Sequence, residues 1–183
     1  MSWLKEMVGQ LSLEFPVRNK RISDLALQLE TSGKEIIERL TLVQNDLNKD
    51  QAKMRHIIGI ERWGQRRLRG FLGDEPSNEE YNSYCPEGDY RLQDLVELFR
   101  EARAKTVYLA IQLEALFVSE AKVAGKLNDK RTENGIMSSD SNNLASNNKL
   151  TSAIKHNEFG PLTPRGWLRY LEMHARMESK SIK

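Results

Sequence analysis

The sequence predicts an all-α fold, a four-helix up-down bundle with a long crossover loop and a short extra N-terminal helix. Three observations predict it. Apolar residues recur every three or four positions in four long segments, residues typical of helix ends flank these segments, and no segment shows the two-residue alternation of a half-buried strand. The 183 residues suffice for one domain with a sizeable core and hardly for two.

The first 21 residues are predicted to be an N-terminal amphipathic segment, outside a bundle domain that spans residues 22–183. A short helix over residues 1–13 should end before Phe15-Pro16, because the residue before a proline disfavours helix. We expect it to pack on the main body. Attachment to a membrane surface is the alternative, and the scarcity of Lys and Arg on the opposite face argues against it. The apolar positions of the helix are Trp3, Leu4, Met7, Val8 and Leu11.

The first two long helices are predicted over residues 23–47, with Ser23 as N-cap, and over residues 49–72, with Gly73 as the stop signal. On the second of these helices, one stripe points inward and includes a histidine near the helix start. A lone inward histidine is more often a core residue than a metal ligand, unless another helix offers ligands at the same depth. The residues of this stripe are His56, Ile57, Ile60, Trp63, Gly64, Arg67 and Phe71.

A third long helix is predicted over residues 91–123, after a turn-rich connection at 73–90 that contains three tyrosines. The composition then changes, because residues 128–148 are poor in large apolar side chains and rich in Ser, Asn, Asp and Lys. We therefore expect a flexible loop over residues 128–160 and no second domain.

The last helix is predicted to begin after Thr163, a good N-cap, with Pro164 in its first position, and to run to about Ser181. His174 and Glu178 lie one turn apart on its buried face, and burying an unpartnered carboxylate is costly. A divalent metal, a salt bridge or an edge position that touches water would each satisfy that carboxylate. Arg67 is the competing cation. The buried face comprises Trp167, Leu168, Leu171, His174, Ala175, Glu178 and Ile182.

Charge and cysteine content narrow the classes of partner. The chain has 28 Lys and Arg against 26 acidic residues, too even a balance to predict binding to nucleic acid or to an anionic membrane. A possible basic strip of Arg62, Arg66 and Arg69 is therefore interpreted as an ordinary solvated face. The single cysteine, Cys85, forms no intramolecular disulfide. With no long apolar run and no signal-peptide pattern at the start, we expect a cytoplasmic, soluble protein.

Two short motifs resemble the DinB-like (DinB/YfiT) metalloprotein family. The stretch His56-Ile-Ile-Gly-Ile-Glu-Arg-Trp63 is similar to the family's second-helix pattern, in which an acidic and an aromatic residue follow a ligand histidine by five and seven positions. Phe159-Gly-Pro-Leu-Thr163, which leads into the helix with His174, is similar to the entry to the family's last helix. The similarity in topology covers roughly residues 20–182.

The resemblance implies a metal site with His56, His174 and Glu178 as ligands. Glu178 stands where the family has a second histidine, so it is either a third ligand or the mark of a lost site. The ligand set suits zinc, nickel, iron or manganese. The resemblance also implies a homodimer and a metal-dependent enzyme, a transferase or hydrolase that acts on a small-molecule substrate, with a small cellular thiol as cosubstrate.

Two further residues receive other roles. His156 is expected to serve the loop or a helix cap, with contact to the site as the alternative. Glu61 lies about 100° from the inward stripe and is expected to pair with a surface cation or to orient a neighbour. The rival to the enzyme is a non-enzymatic bundle that associates through exposed aromatic residues and keeps only a degenerate metal site. Its candidate contacts are Trp3, Met7, Tyr81, Tyr84 and Tyr90.

Overall fold

A computed structural model describes residues 2–75, 77, 79–133 and 152–183, and most of these residues are helical. Two short strands form the sheet found within those ranges. In the same residues, no helix is long and apolar enough to cross a membrane. The main elements are α1 (Ser2–Gly9), α2 (Ile22–Thr41), α3 (Asn48–Leu72), α4 (Leu92–Glu133), β1 (Ile154–His156), β2 (Gly160–Leu162) and α5 (Pro164–Ser179).

The four long helices pack on one another around an apolar core. Helix α4 contacts α2 and α3, and α5 contacts the same two helices from its own side. One part of the core gathers around the indoles of Trp63 and Trp167, and the other around Phe99. Many core residues come from the predicted stripes, among them Ile57, Ile60 and Phe71, whereas Met54, Ile58 and Leu68 of α3 are buried outside its predicted stripe.

Two helix ends confirm their sequence signals. Gly73 ends α3 with a φ of 110°, a left-handed conformation that favours glycine, and its N–H points to the carbonyls of Arg69 and Gly70. At the start of α5, the Thr163 hydroxyl accepts the N–H of Gly166 at 3.3 Å, with Pro164 in the first helical position.

Helix α2 ends at Thr41, so the predicted end at residue 47 is wrong. The side chain of Gln93 donates to the carbonyls of Leu40 and Val43 at 3.2 and 3.0 Å and so satisfies the end of the helix. Asp46, beyond that end, accepts the N–H of Leu92 at 2.9 Å and caps α4. The chain therefore leaves α2 early because its end and the start of α4 complete each other's hydrogen bonds.

The predicted flexible loop over residues 128–160 is wrong at both of its described ends. Helix α4 continues to Glu133, beyond the predicted end at residue 123. Residues 154–162 form an antiparallel hairpin in which Ile154 pairs with Leu162 and His156 with Gly160. The Trp167 indole N–H donates to the Ile154 carbonyl at 3.1 Å and so holds the hairpin against α5. Residues 134–151 of the predicted loop lie outside the described part of the chain.

The N-terminal segment stays helical beyond its predicted end. A π-helical turn at Gln10–Glu14 and a 3-10 turn at Phe15–Val17 follow α1. Leu13 and Val17 reach the core, so the segment packs on the main body at this end, as predicted. The apolar side chains nearer the start remain exposed, among them Trp3, Leu4, Met7 and Leu11.

Glu14 joins this segment to the start of α5. Its carboxylate accepts the backbone N–H of Thr163 at 2.6 Å and the Thr163 hydroxyl at 2.8 Å. A negative charge at a helix N-terminus is favourable, because free N–H groups and the positive end of the helix dipole lie there. The contact also holds the π-helical turn against a wall of the cavity described next, which Ser12 and Leu13 help to line.

Candidate metal and ligand site

All three histidines of the sequence line one cavity of about 610 Å³. His56 comes from the first half of α3, His174 from the second half of α5, and His156 from the end of β1. Glu178 lines the same cavity, one turn after His174. The three residues that the sequence proposes as ligands therefore line one cavity, which His156 also lines.

Two of these histidines face each other directly. The Nε2 atoms of His56 and His174 are 3.2 Å apart, and their ring centroids are 5.0 Å apart. About two helical turns after His56, α3 approaches α5 closely at Gly64. A Cβ on Gly64 would come within 2.5 Å of the Leu171 side chain, so only glycine allows this spacing without a shift.

Both imidazoles of the pair are held in the neutral form. Burial, with the neighbouring His56 and Arg103 as smaller causes, lowers the pKa of His174 to about 4. Burial also lowers the pKa of His56, while the negative charge of Glu178 partly opposes that change. Near pH 7 each ring therefore has a nitrogen lone pair, which either accepts a hydrogen bond from the other ring or binds a metal.

The spacing of the two nitrogens suits a shared metal ion. Nitrogens bound about 2.0–2.1 Å from one tetrahedral zinc lie about 3.3 Å from each other, close to the separation of the His56 and His174 Nε2 atoms. Glu178 is half-buried in the same cavity. In the described parts of the chain, no three His, Cys, Asp or Glu side chains stand close enough to hold an ion as they are. The distance between the two histidine nitrogens therefore suits a shared metal ion, and Glu178 lies in the same cavity.

Arg67 does not use its guanidinium on Glu178. It donates to the carbonyls of Ser77 and Glu79 and lies 5.2 Å from the centre of the Trp63 ring. Its task is to hold the connection after α3 against the helix. Arg67 is therefore not the salt-bridge partner that the sequence suggested for Glu178.

Glu61 is buried, which corrects the expectation of a surface pairing. Its side chain is 1% exposed and pairs with the buried Arg103 at 3.1 Å, and the Thr106 hydroxyl donates to it at 2.6 Å. The prediction failed because it considered a single inward stripe. Helix α3 packs against α4 as well as α5, so it has a second buried face, which includes Glu61 and Gln65.

His156 is 3% exposed and belongs to the cavity wall. Its Nδ1 accepts the backbone N–H groups of Glu158 and Phe159 at 3.1 and 3.3 Å, which confirms the predicted role in the loop. His156 also lines the cavity that contains the proposed ligands. The ring packs among aromatic neighbours, and the centroid distances are 5.2 Å to Trp63, 5.1 Å to Trp167 and 4.4 Å to Tyr170.

Two tyrosines that the sequence did not assign to the site also line the cavity. The edge of Tyr81 meets His56 with centroids 4.9 Å apart, and Tyr170 lies between His156 and His174, 5.6 Å from the latter. Burial raises the pKa of Tyr170, so its phenol stays protonated. The walls are thus largely aromatic and apolar, which suits a small molecule with an apolar body.

The buried His156 makes stability depend on pH. Burial lowers its pKa from 6.5 to about 4 in the folded protein, with Arg67 and His174 as smaller causes. Between these values the unfolded chain binds a proton that the folded chain does not, so stability should fall as the pH decreases from 6.5 to 4. His156 alone should contribute a slope of at most about 1.4 kcal/mol per pH unit, and the lowered pKa values of His174 and His56 add to it.

Urea unfolding of the metal-free protein from pH 4 to pH 8, with His156→Asn beside the parent, measures this slope. The free-energy difference between the two proteins should be constant above pH 7 and change below pH 6.5. A difference that does not vary with pH would mean that His156 is protonated as easily in the folded chain as in the unfolded one.

Comparison of the chain with models of protein families, with curated proteins and with solved structures returns no match.

Proposed function

We propose that this chain is a divalent-metal-dependent enzyme of the DinB-like type that acts on a small molecule in the histidine-lined cavity. The ion, zinc, nickel, iron or manganese, would be held by His56, His174 and Glu178. One observation carries the proposal. Two half-buried imidazoles, kept neutral by their surroundings, stand with their Nε2 atoms 3.2 Å apart in a cavity large enough for a ligand.

When bound, such a metal favours a thiolate over a thiol, or lowers the pKa of water, and so supplies a nucleophile at neutral pH. His56, His174 and Glu178 would hold the ion, and the aromatic residues around them keep the cavity apolar. The thiol would come from a small cellular cosubstrate. Cys85 is unsuited to that role, because burial raises the pKa of its thiol and its Sγ packs against Gly59 of α3.

We also propose that the four long helices form a bundle in which α2 and α5 run one way and α3 and α4 the other. The connection at residues 73–91 is then the long crossover, because it must return along the bundle. Two contacts for each helix pair support these directions. For α2 and α4 they are Ile22 with Glu114 and Leu40 with Gln93. For α3 and α5 they are Lys53 with Ser181 and Gly64 with Leu171, and for α3 and α4 they are Asp46 with Leu92 and Glu61 with Thr106.

The test is elemental analysis and metal titration of protein purified without a metal-binding tag. The parent should bind close to one divalent ion per chain. His56→Ala and His174→Ala should each lose that binding, by more than the roughly 10- to 100-fold that changing an outer-shell partner costs. His156→Asn is the matched control, because it removes the third cavity histidine and should retain the ion.

Glu178 is tested separately. If Glu178 is a ligand, Glu178→Ala should weaken metal binding. Glu178→His, which restores the pair of histidines found in the family, should keep or strengthen it. Equal metal affinity in the parent and in both histidine-to-alanine variants would refute the metal site as a whole.

A second function is favoured by the exposed apolar face of α1 and the turn after it. Trp3 is 68% and Leu11 61% exposed, and Leu4, Met7 and Phe15 are exposed beside them. A contiguous apolar surface of this kind is typical of an association site. In this alternative the chain is a non-enzymatic interaction protein with a degenerate metal site, and the face of α1 joins two copies.

Sedimentation of the double variant Trp3→Asp with Leu11→Asp tests the association. If this face joins two copies, the parent should sediment as a dimer and the variant as a monomer. Leu27→Asp, at another exposed leucine, is the control and should leave the dimer intact. A parent that is monomeric at all concentrations would remove this function and the homodimer together.

A further inference from the structure

The charged side chains that line the cavity all have the same sign. They are Glu80, Glu158 and Glu178, and the described part of the lining contains no Lys or Arg. Two arginines near the cavity histidines are engaged elsewhere, because Arg67 donates to carbonyls of the connection after α3 and Arg103 pairs with a buried carboxylate. The cavity therefore has a negative potential, which attracts cations and repels anions.

Two of these carboxylates stand together at the turn between β1 and β2. Glu158 belongs to that turn, and Asn157 beside it donates to the Glu80 carboxylate at 2.6 Å. Glu158 also pairs with Lys5 at 3.4 Å, and both of these side chains are 58% exposed. An exposed pair of this kind is weak, so it leaves Glu158 able to bind another cation. The turn thus gives the cavity a carboxylate end.

Tyr170 lies between this end and the proposed metal ligands. Its ring centroid is 6.0 Å from that of Phe159, next to Glu158, and 5.6 Å from that of His174. The residue is 9% exposed, and its hydroxyl makes no hydrogen bond within the described ranges. The hydroxyl is nevertheless not one of the fully enclosed atoms without a partner, so it opens onto the cavity that Tyr170 lines. Burial raises the pKa of this phenol, and Glu158 and Glu178 contribute, so the hydroxyl lies within electrostatic reach of both ends.

We propose that the cavity binds a small organic amine in its cationic form, with the ammonium group at Glu80 and Glu158 and the apolar body among the aromatic side chains. This inference rests on the proposed function in that it takes the same cavity as the substrate site, and it names the class of substrate. An ammonium group donates up to three hydrogen bonds, which the two carboxylates and the Tyr170 hydroxyl accept. Its charge is also favourable near the faces of aromatic rings.

Three probes with the same phenyl body separate charge from shape. At pH 7, 2-phenylethylamine is a cation, 2-phenylethanol is neutral and 3-phenylpropionate is an anion. We expect the amine to bind the metal-free protein about tenfold more tightly than the alcohol, because hydrogen bonds to charged groups exceed neutral ones by about that ratio. The anion should bind more weakly than the alcohol. Isothermal titration calorimetry gives the three affinities, and the absence of metal prevents the amine from coordinating an ion.

Glu80→Gln and Glu158→Gln keep the shape of each side chain and remove its charge. Each should lower the affinity for the amine by up to about fivefold, as the loss of an exposed ion pair does, and leave the affinity for the alcohol unchanged. Lys5→Met should act in the opposite direction, since it removes the cation that competes for Glu158. Glu97→Gln is the control, because Glu97 is an exposed acid of α4 that does not line the cavity.

Tyr170→Phe locates the ligand in this cavity. It removes one hydroxyl from the wall and should weaken the binding of both the amine and the alcohol by about fivefold, the ratio for one net hydrogen bond. Tyr108→Phe, at a tyrosine of α4 that is 61% exposed, should change neither affinity.

Equal affinity for the amine and the alcohol, tighter binding of the anion, or binding of no probe up to its solubility would overturn the amine site. So would an affinity for the amine that Glu80→Gln and Glu158→Gln leave unchanged. The metal site is judged separately, because His174→Ala should lose the ion and keep the preference for the amine. A parent that binds the amine and no metal would refute the metal site alone, and one that binds metal without preferring the amine would refute this inference alone.

Discussion

Arg103→Met should lower the free energy of unfolding by about 3–5 kcal/mol, because it leaves the carboxylate of Glu61 buried without its counter-ion. The two side chains are 3% and 1% exposed and meet at 3.1 Å. Arg103 also donates to the Leu171 carbonyl at 3.3 Å, and its stem packs against Gly33 of α2. Urea unfolding at pH 7, followed by circular dichroism, measures the loss.

An exposed ion pair on the same helix provides the control. Arg100 and Glu97 meet at 2.9 Å with both side chains largely exposed, and Arg100→Met should cost at most about 1 kcal/mol. The double variant Glu61→Leu with Arg103→Met should regain most of the stability, because two apolar side chains replace a pair whose desolvation is costly. Equal losses in Arg103→Met and Arg100→Met would show that Glu61 is not charged in the folded protein.

Two helix ends could be predicted from neighbouring residues in the chain. The stop at Gly73 and the cap at Thr163 are local, because each satisfies hydrogen bonds within its own helix end. The convergence of His56 and His174 could also be predicted, although from the resemblance of two motifs and not from the periodicity of either helix. Periodicity places a side chain on a face and does not say which helix it will meet.

What the sequence missed depends on contacts between distant segments. The end of α2 at Thr41 is set by Gln93 and Asp46, which complete hydrogen bonds of two different helices. Glu61 was assigned to the surface because its partner Arg103 lies on another helix, and only the packing of α3 against α4 brings the two together. A single buried stripe is thus too simple a description of a helix with two packed faces.

His156 shows the same limit at the site. Its turn is local and was anticipated, whereas its place in the cavity depends on the hairpin that the Trp167 indole holds against α5. No periodic pattern marks a short strand that precedes a helix. The cavity therefore combines two predicted histidines with a third residue and two tyrosines that only the folded chain brings to them.

Trp167→Ala should lower the free energy of unfolding by about 3–5 kcal/mol and disturb the cavity together with the core. The side chain is fully buried, and its ring meets Trp63 and His156 with centroids 5.1 Å away in each case. Its N–H is also the donor that holds Ile154, and so the strand that ends at His156. The loss should therefore exceed that of Trp167→Phe, which keeps an aromatic ring in the core and removes only the indole donor.

Met177→Ala is the matched control, because Met177 lines the same cavity from α5 but is largely exposed, and its removal should change stability by no more than about 0.5 kcal/mol. Thermal or urea unfolding gives the energies, and the ¹⁵N spectrum of His156 reports the hairpin. In Trp167→Ala that signal should shift or broaden even where the protein is fully folded. A variant that is destabilised but keeps the parent's His156 signal would mean that the hairpin is held by its own contacts, so that the cavity wall is independent of the core.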